Sequence, residues 1–139
     1  MARPIDLKGR AKGLLILGAL LSIGATPELS CPEEVLGLYE SVYFLNSGVK
    51  VTGLVDTGAE LSSLDISLAK QLKINTPVTR QIYVRTAHGT QRRDIISLRI
   101  KIKNQVLLRE FTLSDRRDMK QKVLIGRNAL KGFLIDLNR

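Results

Sequence analysis

The segment GLVDTGAELSSLD, residues 53–65, places a carboxylate between an apolar, strand-like run and a Thr-Gly turn. Glycine allows a tight turn and lets the backbone approach a bound chain closely. The apolar residues before Asp56 indicate a carboxylate held in surroundings of low polarity. Because Asp-Thr-Gly is also ordinary turn chemistry, the triplet alone leaves open both a structural turn and an acid–base catalyst.

Hydrolysis of a peptide bond by carboxylates needs two of them around one water molecule. One carboxylate takes the proton of the attacking water, while the other, protonated, donates a hydrogen bond to the carbonyl oxygen. Asp56 is therefore a candidate catalytic acid or base, with Thr57 and Gly58 forming its turn. A second segment, VLIGRNAL at residues 123–130, has a related pattern of apolar residues, Gly-Arg-Asn and a short helix, and it favours the catalytic interpretation.

Most of the chain after residue 35 has the composition of β-strands. LGLYESVYFL (36–45) and VKVTGLV (49–55) are separated by NSG, which suits a hairpin turn. In IISLRIKIK (95–103), isoleucine and leucine alternate with serine, arginine and lysine, which predicts one apolar and one cationic face.

Further strands are predicted over QVLLREFTL (105–113) and FLIDL (133–137). Two short helices are predicted, one over residues 66–73 with Asp65 or Ser63 as N-cap, the other over residues 128–131 ending at Gly132. With 139 residues the chain suffices for one modest domain. The fold class is mostly β, as a small barrel or sandwich.

Charge and composition limit the classes of function. The net charge of the chain is +9. The excess of positive charge lies in residues 80–139, which carry fifteen basic and five acidic side chains. Such a surface can attract nucleic acid, an anionic membrane or an acidic peptide, but an aromatic content of 4% argues against nucleic acid bound by stacking. One cysteine, one histidine and no P-loop motif predict no metal and no cofactor.

The N-terminus has the layout of a secretory signal. A basic start is followed by the apolar run LLILGALLSIGA (14–25) and by TPELS. A helix of twelve residues spans about 18 Å, less than the roughly 30 Å hydrocarbon core of a bilayer. We expect residues 1–25 to be a signal peptide or membrane-targeting segment with transient membrane contact, residues 26–34 a linker, and residues 35–139 the domain. The expected location is the periplasm after export, or an uncleaved N-terminal anchor.

LVDTGAELSSL and VLIGRNAL together resemble the retropepsins, the small aspartic peptidases typified by retroviral proteases. Over residues 35–139, LGLYESV, VDTGAE, FTLSDRRDM and VLIGRNAL also resemble a bacterial retropepsin-like family often labelled "ATP-dependent zinc protease". The sequence contains neither the P-loop nor the zinc ligands of that label. The resemblance implies a small closed or partly closed β-barrel of the acid protease type with one or two short helices, and aspartic endopeptidase activity.

The resemblance also implies a homodimer, because the chain has a single Asp-Thr-Gly and each protomer would supply one carboxylate. Asp56, Thr57 and Gly58 would form the catalytic loop. Structural support of the site and of the dimer would come from four residues, namely Glu60, Gly126, Arg127 and Asn128, with an ion pair between Arg127 and Glu60.

A β-hairpin flap over the substrate is implied within residues 81–100, with Gly89 at the tip of AHGT. The residues expected to contact substrate are Ala59, Arg85, His88, Gly89 and Arg116. Arginines near the flap, together with the glutamate-ligase partners associated with the bacterial family, imply a glutamate-tailed or other acidic peptide substrate. The alternative is a catalytically silent module of the same fold that binds an anionic partner at the cell envelope.

Overall fold

The computed structural model describes Gly24 and residues 33–139 of the chain. Residues 33–139 belong to one compact unit. The predicted targeting segment, apart from Gly24, and residues 26–32 of the predicted linker therefore lie outside the described residues. Among the helices that are described, none is long and apolar enough to cross a membrane.

The described part of the chain contains nine strands and two short helices. In chain order they are β1 Glu34–Leu36, β2 Tyr39–Phe44, β3 Val49–Val55, β4 Ser62–Asp65, α1 Ile66–Gln71, β5 Val78–Thr86, β6 Gly89–Ile102, β7 Gln105–Ser114, β8 Val123–Ile125, α2 Arg127–Leu130 and β9 Phe133–Ile135.

Six of these strands close into a barrel in the order β2, β3, β8, β4, β7 and β6. The closing pair joins β6 back to β2 and includes Val42 opposite Ile102 and Phe44 opposite Ile100. Strand β5 pairs only with the first half of β6, and β1 and β9 form a separate parallel pair. The predicted mostly-β barrel with short helices is confirmed.

The predicted alternation in β6 fills the barrel interior. Ile96, Leu98, Ile100 and Ile102 are all buried, while Arg99 and Lys101 between them are exposed. Phe44 and Phe111 pack within the same core with ring centroids 6.1 Å apart. Removing these apolar side chains from water is the main force that closes the barrel.

The sequence did not predict strand β4, whose four residues are Ser, Ser, Leu and Asp and are all buried. Its polar groups are satisfied inside the barrel. For example, the hydroxyls of Ser63 and Ser114 are hydrogen-bonded at 2.7 Å. Asp65 ends the strand and caps α1 as predicted, accepting a hydrogen bond from the Leu68 N–H.

The two helices differ slightly from their predicted bounds. Helix α1 ends at Gln71 and not at residue 73, because Lys73 adopts a left-handed conformation with φ of 52°. Helix α2 covers residues 127–130 in place of 128–131.

Candidate active site

The parallel pairing of β3 with β8 brings Asp56 and Gly126 to the same edge of the barrel. Gly53 lies opposite Val123 and Val55 opposite Ile125, so both strands end at the same level. The Asp56 N–H then donates to the carbonyl of Ile125 at 2.9 Å. The two sequence segments that pointed to a common site are therefore brought together directly after their strands.

The Asp56 loop is a tight turn that orients its own carboxylate. The Gly58 N–H donates to Asp56 Oδ1 at 2.9 Å, and the Ala59 N–H donates to the Asp56 carbonyl at 3.3 Å. Asp56 is half-buried, while Thr57 and Gly58 are exposed. Among the described residues Oδ2 has no hydrogen-bond partner, so one oxygen is held by the loop and the other is available.

Gly126 is required by a close crossing of two backbone segments. A Cβ at this position would lie 2.5 Å from the Leu61 carbonyl carbon and 2.6 Å from its oxygen. The Gly126 N–H donates to Ser62 Oγ at 3.1 Å. The Asp56 loop therefore passes directly over the turn at Gly126, with no room for a side chain between them.

Asn128 ties the same two segments together through its side chain. Its Oδ1 accepts hydrogen bonds from the Ser62 N–H at 2.9 Å and from the Ser62 hydroxyl at 2.8 Å. Its Nδ2 donates to the carbonyl of Glu110 at 2.8 Å. The structure thus places Asn128 where the sequence predicted structural support, whereas its partner Ser62 was missed because a serine in a short polar run resembles loop sequence.

The expected ion pair between Glu60 and Arg127 is not formed. Across residues 33–139 the ion pairs are Arg80–Glu110, Lys103–Glu40 and Arg117–Asp115. The two segments are joined by backbone instead, with the Arg127 N–H donating to the Ala59 carbonyl at 2.8 Å and the Asn128 N–H to the Glu60 carbonyl at 3.1 Å. Backbone hydrogen bonds therefore hold the two segments together, and the side chains of Glu60 and Arg127 are exposed to solvent.

Strands β5 and β6 form the hairpin that was predicted as a flap. Thr86 lies opposite Gly89 at its end, and the Thr86 hydroxyl donates to the Gly89 carbonyl at 2.9 Å while accepting from the His88 N–H at 3.2 Å. Gly89 has a φ of 106°, a conformation that favours glycine. His88 is exposed at the tip.

A cavity of about 440 Å³ lies between the Asp56 loop and the flap. The loop contributes Ala59, Glu60 and Leu61, and the hairpin contributes Ile82, Tyr83, Val84, Arg85 and Arg93. The structure thus brings Ala59 and Arg85 together beside the candidate catalytic loop, while His88 and Gly89 lie outside the cavity lining. Arg93 is one of the arginines near the flap on which the expected substrate class was based, but it was not singled out as a site residue. Its Nε is buried without a hydrogen-bond partner among the described residues.

Arg116 lies in the protein interior, with 8% of its surface exposed. Its Nε donates to the Gln121 carbonyl at 3.1 Å, and its backbone N–H donates to Asp65 Oδ1 at 2.7 Å. Burial and the positive charge of Arg93 lower the pKa of Arg116, although the carboxylates of Asp65 and Asp56 oppose this effect. Arg116 therefore connects the segment after β7 to Asp65 and to Gln121, and it does not line the cavity with Arg85.

The described residues contain no group of three or more His, Cys, Asp or Glu side chains that could hold a metal ion. The chemistry that the site offers is that of the Asp56 carboxylate, the backbone N–H groups of its loop and the arginines of the cavity.

Residues 45–132 match the sequence profile of the family described as gag-polyprotein putative aspartyl protease. No curated protein matches the chain significantly. Among solved structures, the chain is similar to the protein Lpg0085 of unknown function from Legionella pneumophila subsp. pneumophila str. Philadelphia 1. That pair has 19% identity and a TM-score of 0.55, covering 76% of this chain and 94% of the other.

The chain is also similar to two viral proteases. The EIAV protease complexed with the inhibitor HBY-793 has 19% identity and a TM-score of 0.56, covering 67% of this chain and 84% of that one. The solution structure of the simian foamy virus (mac) protease has 17% identity and a TM-score of 0.50, and the match covers 66% of this chain and 90% of that one. At these identities the similarity shows the fold, and it confirms the predicted retropepsin type.

Proposed function

Because this chain belongs to the gag-polyprotein putative aspartyl protease family, we propose that it is an aspartic endopeptidase. The observation that carries the proposal is the position of Asp56, directly after β3 and hydrogen-bonded to the end of β8, with one carboxylate oxygen available. A strand end that presents a half-buried carboxylate beside a cavity is the arrangement that acid–base catalysis on a bound peptide requires.

The catalytic unit in this proposal is a homodimer. The sequence contains one Asp-Thr-Gly, and two carboxylates are needed around the water. An isologous dimer with its two-fold axis at the Asp56 loop would bring the two copies of Asp56 together. The exposure of Thr57 and Gly58 in the single chain supports this, since a partner loop would cover them.

The mechanism follows from the charge of two adjacent carboxylates. In the proposed dimer they share one proton, because two ionised carboxylates at close range repel each other. The ionised Asp56 takes a proton from the water as its oxygen attacks the peptide carbonyl carbon, while the protonated Asp56 gives its proton to the carbonyl oxygen, which forms a gem-diol. The proton now on the dyad passes to the peptide nitrogen, the C–N bond breaks, and a diol hydroxyl returns its proton to the other carboxylate, so that the dyad again holds one proton. The Gly58 N–H, 2.9 Å from Oδ1, fixes the orientation of each carboxylate during these steps.

The proposed substrate class is a peptide with acidic side chains, including glutamate-rich tails. The cavity beside the Asp56 loop contains two guanidinium groups, of Arg85 and Arg93, and the single carboxylate of Glu60. Guanidinium groups bind carboxylates through paired hydrogen bonds. Closure of the β5–β6 hairpin over the peptide would exclude water and strengthen these contacts.

The test is hydrolysis of a peptide library, with and without glutamate, by the full chain at several pH values. Asp56→Asn is expected to abolish cleavage. Asp118→Asn removes the same charge from an exposed position and is the matched control, with activity expected to be unchanged. Cleavage that persists in Asp56→Asn, or full activity from a chain shown to be monomeric during turnover, would contradict the proposal.

A catalytically silent module that binds an anionic partner is the second candidate, and the excess of basic residues over positions 80–139 favours it. It would be preferred if a folded, dimeric wild type cleaved no peptide of the library.

For the N-terminal segment we propose export to the periplasm, either with cleavage near residues 24–25 or with retention as an anchor. Support comes from its basic start and apolar run. Fractionation of expressing cells, with N-terminal sequencing of the product, would identify either result. Recovery of the full-length chain from the cytoplasm alone would contradict export.

A further inference from the structure

A second cavity, of about 410 Å³, lies on the outer face of the barrel where β2 closes against β6. Its lining includes Ser41, Tyr43, Lys50, Lys101 and Lys103. Tyr43 pairs in register with Lys50 on β3 and with Lys101 on β6. Tyr43 therefore lies between two lysines, one on each of the strands that flank β2. We call Tyr43, Lys50, Lys101 and Lys103 the lysine surface.

The positive charge of the lysine surface is only partly compensated. Glu40, which also lines the cavity, pairs with Lys103 at 3.0 Å and accepts a hydrogen bond from the Gly37 N–H at 2.7 Å. Within residues 33–139, neither Lys50 nor Lys101 forms an ion pair. Lys50 and Lys101 lie on the two strands that flank β2, about 10 Å apart across the sheet. An anionic group bound between them would be attracted by both positive charges.

The lysine surface is remote from the candidate active site. Lys50 is the second residue of β3, whereas Asp56 directly follows the last residue of that strand. At about 3.3 Å per strand residue, the two positions are roughly 20 Å apart. The lysine surface is therefore separate from the cleft and would contact a part of a substrate well away from the bond to be cleaved.

We propose that the lysine surface binds an acidic segment of the protein substrate, separated from the scissile bond by at least about six extended residues. This inference rests on the proposed peptidase function. The ammonium groups would pair with carboxylates, and the hydroxyls of Ser41 and Tyr43 would donate to them. The cavity contains one aromatic ring, whereas a single-stranded nucleic acid is bound by stacking successive bases on several rings.

Binding is tested with the full chain carrying Asp56→Asn, Arg85→Gln and Arg93→Gln, so that the peptide is not cleaved and the two arginines of the active-site cavity do not contribute. The probe is a fluorescein-labelled peptide of glutamate and glycine, followed by fluorescence anisotropy. Adding Lys50→Gln and Lys101→Gln is expected to raise the Kd about tenfold. The control adds Lys70→Gln and Lys120→Gln, which remove two exposed lysines elsewhere on the chain, and it should change the Kd less than about twofold.

Two results would overturn the proposal. One is an equal loss of affinity, or no loss, in the two pairs of variants, which would mean that only overall charge attracts the peptide. The other is tighter binding of a single-stranded oligonucleotide of the same charge, lost in the Lys50→Gln/Lys101→Gln protein, which would assign the surface to nucleic acid. Circular dichroism of each variant confirms that it is folded.

Kinetics provide a second readout in the otherwise unaltered enzyme. Two peptide substrates have the same sequence around the scissile bond. Only the longer one also carries an acidic segment, placed at least about six residues away from that bond. Lys50→Gln/Lys101→Gln is expected to raise KM for the longer substrate about tenfold with kcat unchanged. An equal effect on both substrates would contradict a docking role. Absence of any cleavage by wild type would refute the proposed function, while the binding measurement would still decide the role of the lysine surface.

Discussion

Asn128 Oδ1 accepts two hydrogen bonds from Ser62, one from its backbone N–H at 2.9 Å and one from its hydroxyl at 2.8 Å. Since Ser62 Oγ also accepts from the Gly126 N–H, these contacts connect helix α2, strand β4 and the turn after β8. The candidate catalytic loop lies directly over this junction, so its geometry depends on groups that do not contact substrate themselves.

Asn128→Ala removes three hydrogen bonds and leaves their partners buried or partly buried without a replacement. An unsatisfied buried polar group costs about 1–3 kcal/mol, so we expect the free energy of unfolding to fall by about 2–4 kcal/mol. Urea denaturation measures this. Asn138→Ala is the control at an exposed position, and a loss no larger than in that variant would contradict the role of Asn128.

Gly126→Ala tests the close crossing of the two segments. Gly126 has a φ of −87°, so alanine causes no backbone strain, and the whole effect comes from a Cβ about 2.5 Å from the Leu61 carbonyl carbon. We expect a loss of about 3 kcal/mol in stability. Gly89→Ala is the converse case, since it has a φ of 106° but open space around the Cβ, and it should cost only about 1–2 kcal/mol. Equal losses would contradict the steric argument.

The barrel could be predicted from the sequence where one face of a strand is apolar. The alternation in β6 predicted which side chains fill the core, and the NSG turn predicted the β2–β3 hairpin, as found in the structure. Strand β4 could not be predicted, because its buried serines are satisfied by Asn128 and Ser114, which are distant in sequence.

For the candidate site, the sequence predicted which segments meet but not which side chains contact each other. The Asp56 and Gly126 segments lie together because β3 and β8 are parallel. The expected pair of Glu60 with Arg127 was wrong, because backbone hydrogen bonds make that contact. Arg93 was considered only as one of the arginines near the flap and was not distinguished from its neighbour Arg92, because the two have the same residue type and only the alternation of strand faces separates them.

Asp65 gives the fold a dependence on pH. Burial acts to raise the pKa of its carboxyl group, but hydrogen bonds from the Arg116 and Leu68 N–H groups, with the charge of Lys122, lower it below the ordinary value of 3.8. A lowered pKa in the folded state stabilises the protein above the unfolded pKa of about 3.9, and this stability is lost as the pH falls through the folded pKa.

Asp65→Asn is therefore expected to reduce stability by about 1–3 kcal/mol at pH 6–7, and the difference from wild type should shrink below about pH 4. Denaturation curves across pH measure both effects. Asp118→Asn, at an exposed position, should show no such trend. A difference between Asp65→Asn and wild type that grows towards low pH would contradict the sign of the shift.

Mixing wild type with Asp56→Asn tests whether both carboxylates of the dyad are needed. If subunits exchange freely, an equal mixture contains about one quarter wild-type homodimers, so activity per mole of total chain should fall to about a quarter of the wild-type value. Asp118→Asn mixed in the same way should leave activity unchanged. A decrease to only one half would mean that each protomer works independently.

Arg93 and Arg92 are neighbours on β6 whose environments differ, since Arg93 is partly buried and lines the cavity beside the Asp56 loop, whereas Arg92 is exposed and does not line it. Arg93→Gln is expected to lower kcat/KM for glutamate-containing peptides about tenfold, mainly through KM, because the guanidinium that would pair with a substrate carboxylate is lost. Peptides without acidic residues should be cleaved as before. Arg92→Gln removes the same charge from the exposed face and should affect neither class of peptide. If Arg92→Gln had an equal effect, the preference would come from the general positive field of the flap and not from a subsite at Arg93.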